Sequence, residues 1–191
     1  MQSPKNIFFI GMAVFLFFYT CQMIQRIPMN PSLDSFGPAL FFSWYVSLCM
    51  TGVFAFSGFV FPTEKLLPTI YYKIKRPARL TKVYRILRAD LFQKLLVFFF
   101  YGKPGNREAF FSGHKSGVAE FWDNTKKSEF GHLIPFILIN VLAVYSFSLQ
   151  KHYFGSGLIL FNVFGNLYPV VIQRFHRLRL GKLMKRINRS E

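Results

Sequence analysis

A chain of 191 residues that is 52% hydrophobic and 19% aromatic, with 26 Phe, carries more apolar side chain than a water-soluble domain of that size can bury. Its 24 Lys and Arg against 8 Asp and Glu, net +16, would point to nucleic acid in a soluble protein; beside this much apolar sequence they read as membrane-protein loops lying against anionic lipid headgroups, and nucleic acid is excluded as a partner. Cys21 and Cys49 both sit inside apolar runs, so neither a disulfide framework nor a metal site is expected.

Ile7 to Ile24 is apolar over the length a bilayer span needs. It is too long for a signal h-region and no small-x-small cleavage site follows, so an uncleaved first span is expected. Gln25 to Pro38, with Pro28, Pro31, Gly37 and Pro38, is a turn-rich connection, and residues 39–61 form a second span. Residues 64–101 change character. Lys and Arg alternate with Leu, Ile and Tyr as far as Lys94, and Pro68 and Pro77 cut the stretch into pieces. Such a stretch lies along a membrane interface, cations in the headgroups and apolar side chains in the acyl boundary. Leu91 to Tyr101 is too short to cross and reads as re-entrant or interfacial, or as packed on other helices. Residues 102–132 read as a polar loop, 133–149 as the third span, Gln150 to Gly157 as a tight turn, 158–172 as the fourth span and 174–191 as a basic tail.

The expected fold class is therefore an all-α integral membrane protein, a single domain of about four transmembrane helices with a cytoplasmic basic interfacial segment. Lys5, fourteen cations between Phe61 and His132 and seven from Arg174 onward lie on one side, against Arg26 and Lys151 on the other. The positive-inside rule then places both termini in the cytoplasm and the chain in the cytoplasmic membrane.

Ionisable and amide side chains at membrane depth are costly, so they pair, face a bundle interior or line a site. Glu129 and His132 lie one helical turn apart at the start of the third span, with Asn140 roughly on the same face. A general base needs a nitrogen that can accept a hydroxyl proton, and a carboxylate can orient the ring; the plainer reading is a surface pair at a helix start. Glu-x-x-His is also half of a di-iron motif, but no second copy occurs and the four histidines are scattered, so no metal is expected. Asn162, Asn166 and Gln173 could orient a substrate and stabilise an oxyanion, or act as interhelical glue. Arg174, Arg177 and Arg179 could grip a phosphate through forked hydrogen bonds, or form the ordinary basic flank of a span.

The run Thr125-Lys-Lys-Ser-Glu129-Phe-Gly-His132, followed by Asn162-Val-Phe-Gly-Asn166-Leu-Tyr-Pro169-Val-Val-Ile-Gln173-Arg174-Phe-His-Arg177-Leu-Arg179-Leu180, resembles the carboxy-terminal part of the bacterial glycosyl-4,4′-diaponeurosporenoate acyltransferases. The resemblance is confined to the last third of the chain. It implies transfer of a fatty acyl group to a hydroxyl of a lipid or glycosylated carotenoid acceptor, with acyl-CoA or acyl-carrier protein as donor substrate and no bound cofactor. On that reading Glu129 orients His132 as base, Asn162 and Asn166 meet the oxyanion, Asn140 and Gln173 orient substrate, and the three arginines hold donor phosphates. Two other classes stand beside it: a non-catalytic subunit whose polar residues dock a membrane protein partner, and a membrane methyltransferase or reductase.

Overall fold

The computed structural model describes residues 4–100 and 115–187. Among them every regular element is helical: α1 (Pro4–Arg26), α2 (Phe36–Val60), α3 (Thr69–Tyr72), α4 (Pro77–Ile86), α5 (Ala89–Phe100), α6 (Lys115–Ser148), α7 (His152–Asn162) and α8 (Tyr168–Ile187). A π-helical turn, Val163–Leu167, joins α7 to α8. Four stretches are long and apolar enough to cross a membrane, Pro4–Arg26, Phe36–Val60, Gly117–Ser148 and His152–Met184, and the four expected spans fall on them.

Three boundaries differ from the sequence reading. The polar segment expected as loop is helical from Lys115 onward; residues 101–114 of that loop lie outside the described residues. Its polarity belongs to one side of a helix, because Val118, Trp122, Thr125 and Glu129 recur at spacings of four, three and four and turn inward. Asp123 pairs with Lys126 at 2.8 Å on the outer face. The expected turn at Gln150 to Gly157 closes within three residues, because Gln150 adopts a left-handed conformation at φ 61° and α7 starts at His152. The basic tail continues as helix to Ile187, with 188–191 outside the described residues.

The chain divides by its internal contacts into two compact units: Met1–Thr63 with Phe130–Leu167, and Glu64–Glu129 with Tyr168–Glu191. The first holds α1, α2, the second half of α6, α7 and the π turn. Its core gathers Ile27, Leu33, Val46, Ile139, Phe154 and Leu158, all fully buried. Lipid tails are as apolar as these side chains, so helices in a membrane associate through close van der Waals contact at small residues. Gly157 shows it: a Cβ there would lie 2.8 Å from that of Ser43, whose hydroxyl donates to the Phe154 carbonyl at 2.9 Å. Gly131 likewise lies against the α2 backbone at Phe54.

The second unit holds the interfacial segment, the first half of α6 and α8. Pro68 immediately precedes α3 and Pro77 is the first residue of α4, where its missing N–H costs nothing. Arg88, at φ 46°, breaks α4 from α5. Tyr84 stacks on Phe175 with centroids 3.9 Å apart, and Phe92 meets Tyr168 at 4.8 Å, which fixes α4 and α5 on α8. Leu66, Ile70, Val83, Ile86, Leu91 and Leu95 stay exposed among the exposed cations, the amphipathic surface that the sequence alternation anticipates.

Candidate functional site

The polar residues singled out by sequence assemble into two clusters, one in each unit. In the first unit the cluster is a relay of amides ending at His132. Asn162 Nδ2 donates to the Phe136 backbone carbonyl at 2.9 Å, an oxygen that also accepts from Asn140 Nδ2 at 2.8 Å. A carbonyl can only accept, so the orientation of the Asn162 amide is fixed and its Oδ1 faces the next residue in line. Asn166 Nδ2 donates to that Oδ1 at 3.0 Å and, with its second hydrogen, to Thr51 Oγ1 at 3.1 Å. Asn166 Oδ1 is thereby turned to His132 Nδ1, 3.2 Å away. Facing an acceptor, Nδ1 is the donor, and when the ring is neutral Nε2 keeps its lone pair.

The π turn holds this relay in place. Pro169 has no amide hydrogen to offer the carbonyl of Gly165, its α-helical partner four residues back, and the chain ahead of it is wound as a π-helix. Asn166 sits in that turn fully buried. Asn162 and Asn166 share a face, as their spacing of four predicts. Asn166 gives both its amide hydrogens and Asn162 one to the relay: in this geometry they hold the ring, where the sequence reading has them meeting an oxyanion.

In the second unit Glu129 is the centre. Its side chain is fully buried and both oxygens are engaged. Oε2 accepts from Arg177 Nη2; Oε1 accepts from Arg174 Nε at 2.7 Å and from the Tyr71 hydroxyl at 2.8 Å. Arg177, 1% exposed, also donates to the Thr125 carbonyl at 3.3 Å. Each guanidinium lies over an aromatic ring, Arg174 at 4.7 Å from the Tyr71 centroid and Arg177 at 5.2 Å from that of Tyr72, a geometry that stabilises a partly desolvated cation. Burial pushes the Tyr72 phenol above its ordinary pKa, Arg177 working against that and Glu64 with it, so the hydroxyl stays a neutral donor.

Two expected roles meet different partners in this geometry. The sequence reading has Glu129 orienting the imidazole, but its carboxylate is held by two arginines and a tyrosine, and Asn166 faces the ring nitrogen. The sequence reading also gives Arg174 and Arg177 to a donor phosphate, whereas both are bonded to Glu129. Arg179 is exposed and Gln173 half-buried on α8. Thr51, Tyr71, Tyr72 and Thr125 were missed as site residues. Thr51 had a legible signal, because Ser43, Ser47 and Thr51 form a polar stripe at a spacing of four through an otherwise apolar span.

An all-helical membrane protein that fixes a neutral histidine through an amide relay and buries a carboxylate between two guanidiniums is the class defined by this fold and these clusters. The chain belongs to the glycosyl-4,4′-diaponeurosporenoate acyltransferase family, whose model matches residues 68–186, more than half of its length. The match reaches well ahead of the carboxy-terminal third in which the resemblance was read, and it covers every site residue named here except Thr51. No curated protein and no solved structure matches the chain.

Proposed function

We propose that this member of an acyltransferase family moves a fatty acyl group from an activated thioester donor to a hydroxyl of a membrane-borne acceptor, a lipid or glycosylated carotenoid, with His132 as general base. The observation that carries the reading is the relay from the Phe136 carbonyl through Asn162 and Asn166, which favours the tautomer of His132 whose lone pair is on Nε2. In the reaction Nε2 takes the hydroxyl proton as the acceptor oxygen attacks the thioester carbonyl. The tetrahedral intermediate collapses with loss of the thiolate, and the imidazolium returns the proton to that sulfur. An apolar cavity of about 360 Å³ in the same unit, lined by Phe17, Ile24, Phe54, Leu138, Leu142 and Tyr145 among others, offers room for an acyl chain or polyene.

General base assistance is worth roughly 100- to 10,000-fold. His132→Ala should lower turnover in that range while the protein remains folded in detergent. Asn162→Leu should lower kcat with little change in the KM for donor, because the Asn166 amide is then free to turn over and present its NH₂ to the ring. Retention of near-normal turnover by His132→Ala would exclude the base assignment. Loss of assembly with a partner and no intrinsic activity to lose would favour a docking subunit.

A further inference from the structure

The second unit contains an open cavity of about 760 Å³ that the acyl-transfer reading leaves unused. Lys73, Lys75, Lys126 and Lys182 line it, and among the described residues no acidic one does. Lys126 is partly neutralised, by Asp123 at 2.8 Å, while the other three lysines are exposed. Helix α4 also begins on this lining, at Pro77, without a side-chain cap, so the partial positive charge of its first turn adds to the lysines. The walls are not only cationic. Trp122 and the ring of Tyr72 line the cavity too. Tyr72 and Arg177, which belong to the Glu129 cluster, close its inner end.

We propose that this cavity binds phosphate esters joined to an aromatic base: the nucleotide end of a coenzyme A-type acyl donor, its phosphates on Lys73, Lys75 and Lys182 and its base against Trp122. The proposal deepens the acyl-transfer reading by naming the donor class, and replaces the arginines bonded to Glu129 with the lysines as the phosphate site. Phosphate chemistry alone would also suit an anionic lipid headgroup; the indole face and the volume, which lies in the range of small-molecule sites, favour the nucleotide.

The test is equilibrium binding of coenzyme A to the full chain in neutral-lipid nanodiscs, with pyrophosphate as the comparison ligand. Coenzyme A should bind, and the combined change Lys73→Ala, Lys75→Ala, Lys182→Ala should weaken it by about tenfold or more. Trp122→Leu should weaken coenzyme A by about 5- to 100-fold, the worth of one stacked base, and leave pyrophosphate nearly unchanged; Trp122→Phe, which keeps an aromatic face, should restore most of the loss. Absence of binding in neutral discs, or binding indifferent to the lysine changes, overturns the proposal. So does displacement of coenzyme A in proportion to added phosphatidylglycerol, which would assign the cavity to lipid headgroups. His132→Ala separates this inference from the reaction: it should keep coenzyme A binding while losing turnover. If it binds coenzyme A and turns over normally, the base assignment falls and the cavity stands.

Discussion

An imidazole in a low-dielectric site can be oriented by a carboxylate or by an amide, and the two are not equivalent. A carboxylate at Nδ1 favours the imidazolium, which has no lone pair left to act as a base; an amide oxygen fixes the tautomer without adding charge. The chain uses the amide for His132 and gives its carboxylate to arginine. We propose that Glu129 with Arg174 and Arg177 is then a structural cluster, whose energetics follow from burial. Removing one partner of a buried ion pair typically costs about 3–5 kcal/mol, because the other charge is left uncompensated. Glu129→Gln should therefore lower the unfolding temperature of the detergent-solubilised protein markedly, since among the described residues Arg177 has no other carboxylate bonded to it. Glu129→Leu combined with Arg177→Met should recover most of that loss, as apolar replacements of buried pairs often do. A Glu129→Gln protein of unchanged stability but abolished turnover would return Glu129 to the catalytic role.

The elements show which parts of this arrangement were legible in sequence. Four spans were, because each is a long apolar run, and so was the division of the interfacial segment, because Pro68 and Pro77 punctuate it. The helical character of residues 115–127 was not: its polar side chains read as loop unless the inward stripe of Val118, Trp122, Thr125 and Glu129 is followed. The shared face of Asn162 and Asn166 was visible in their spacing. The exchange of partners between Glu129 and His132 was not, because residues one turn apart on one helix can face different neighbours, and only the packing of α8 and the π turn decides which. That turn is an element-scale device with a testable consequence. Pro169→Ala restores an amide hydrogen that competes for the Gly165 carbonyl and favours a regular α-helix, which withdraws Asn166 from the ring. Turnover should fall while thermal stability holds or rises, as followed by steady-state kinetics beside a melting curve; full activity would mean that the π turn is dispensable to the relay.

At the scale of the whole molecule the governing quantity is charge asymmetry. All but two of the cations fall on one side of the expected topology, and the exceptions, Arg26 and Lys151, flank the turns α1–α2 and α6–α7. Lys151 is further masked by an ion pair with Asp34 at 2.8 Å. Loops rich in Lys and Arg are retained on the cytoplasmic side, where the lipid surface is also negative. The prediction is that α8 and the start of α6 face the cytoplasm and the turn at Pro31–Asp34 faces outward. In a background with Cys21→Ala and Cys49→Ala, a membrane-impermeant thiol reagent should label Ser32→Cys in intact spheroplasts and Lys182→Cys only after permeabilisation. Both positions are exposed in the fold, so failure to react reports the membrane rather than packing. The opposite labelling pattern would invert the topology and move the lysine-lined cavity away from any cytoplasmic thioester donor; labelling of both from outside would require an even number of spans between them.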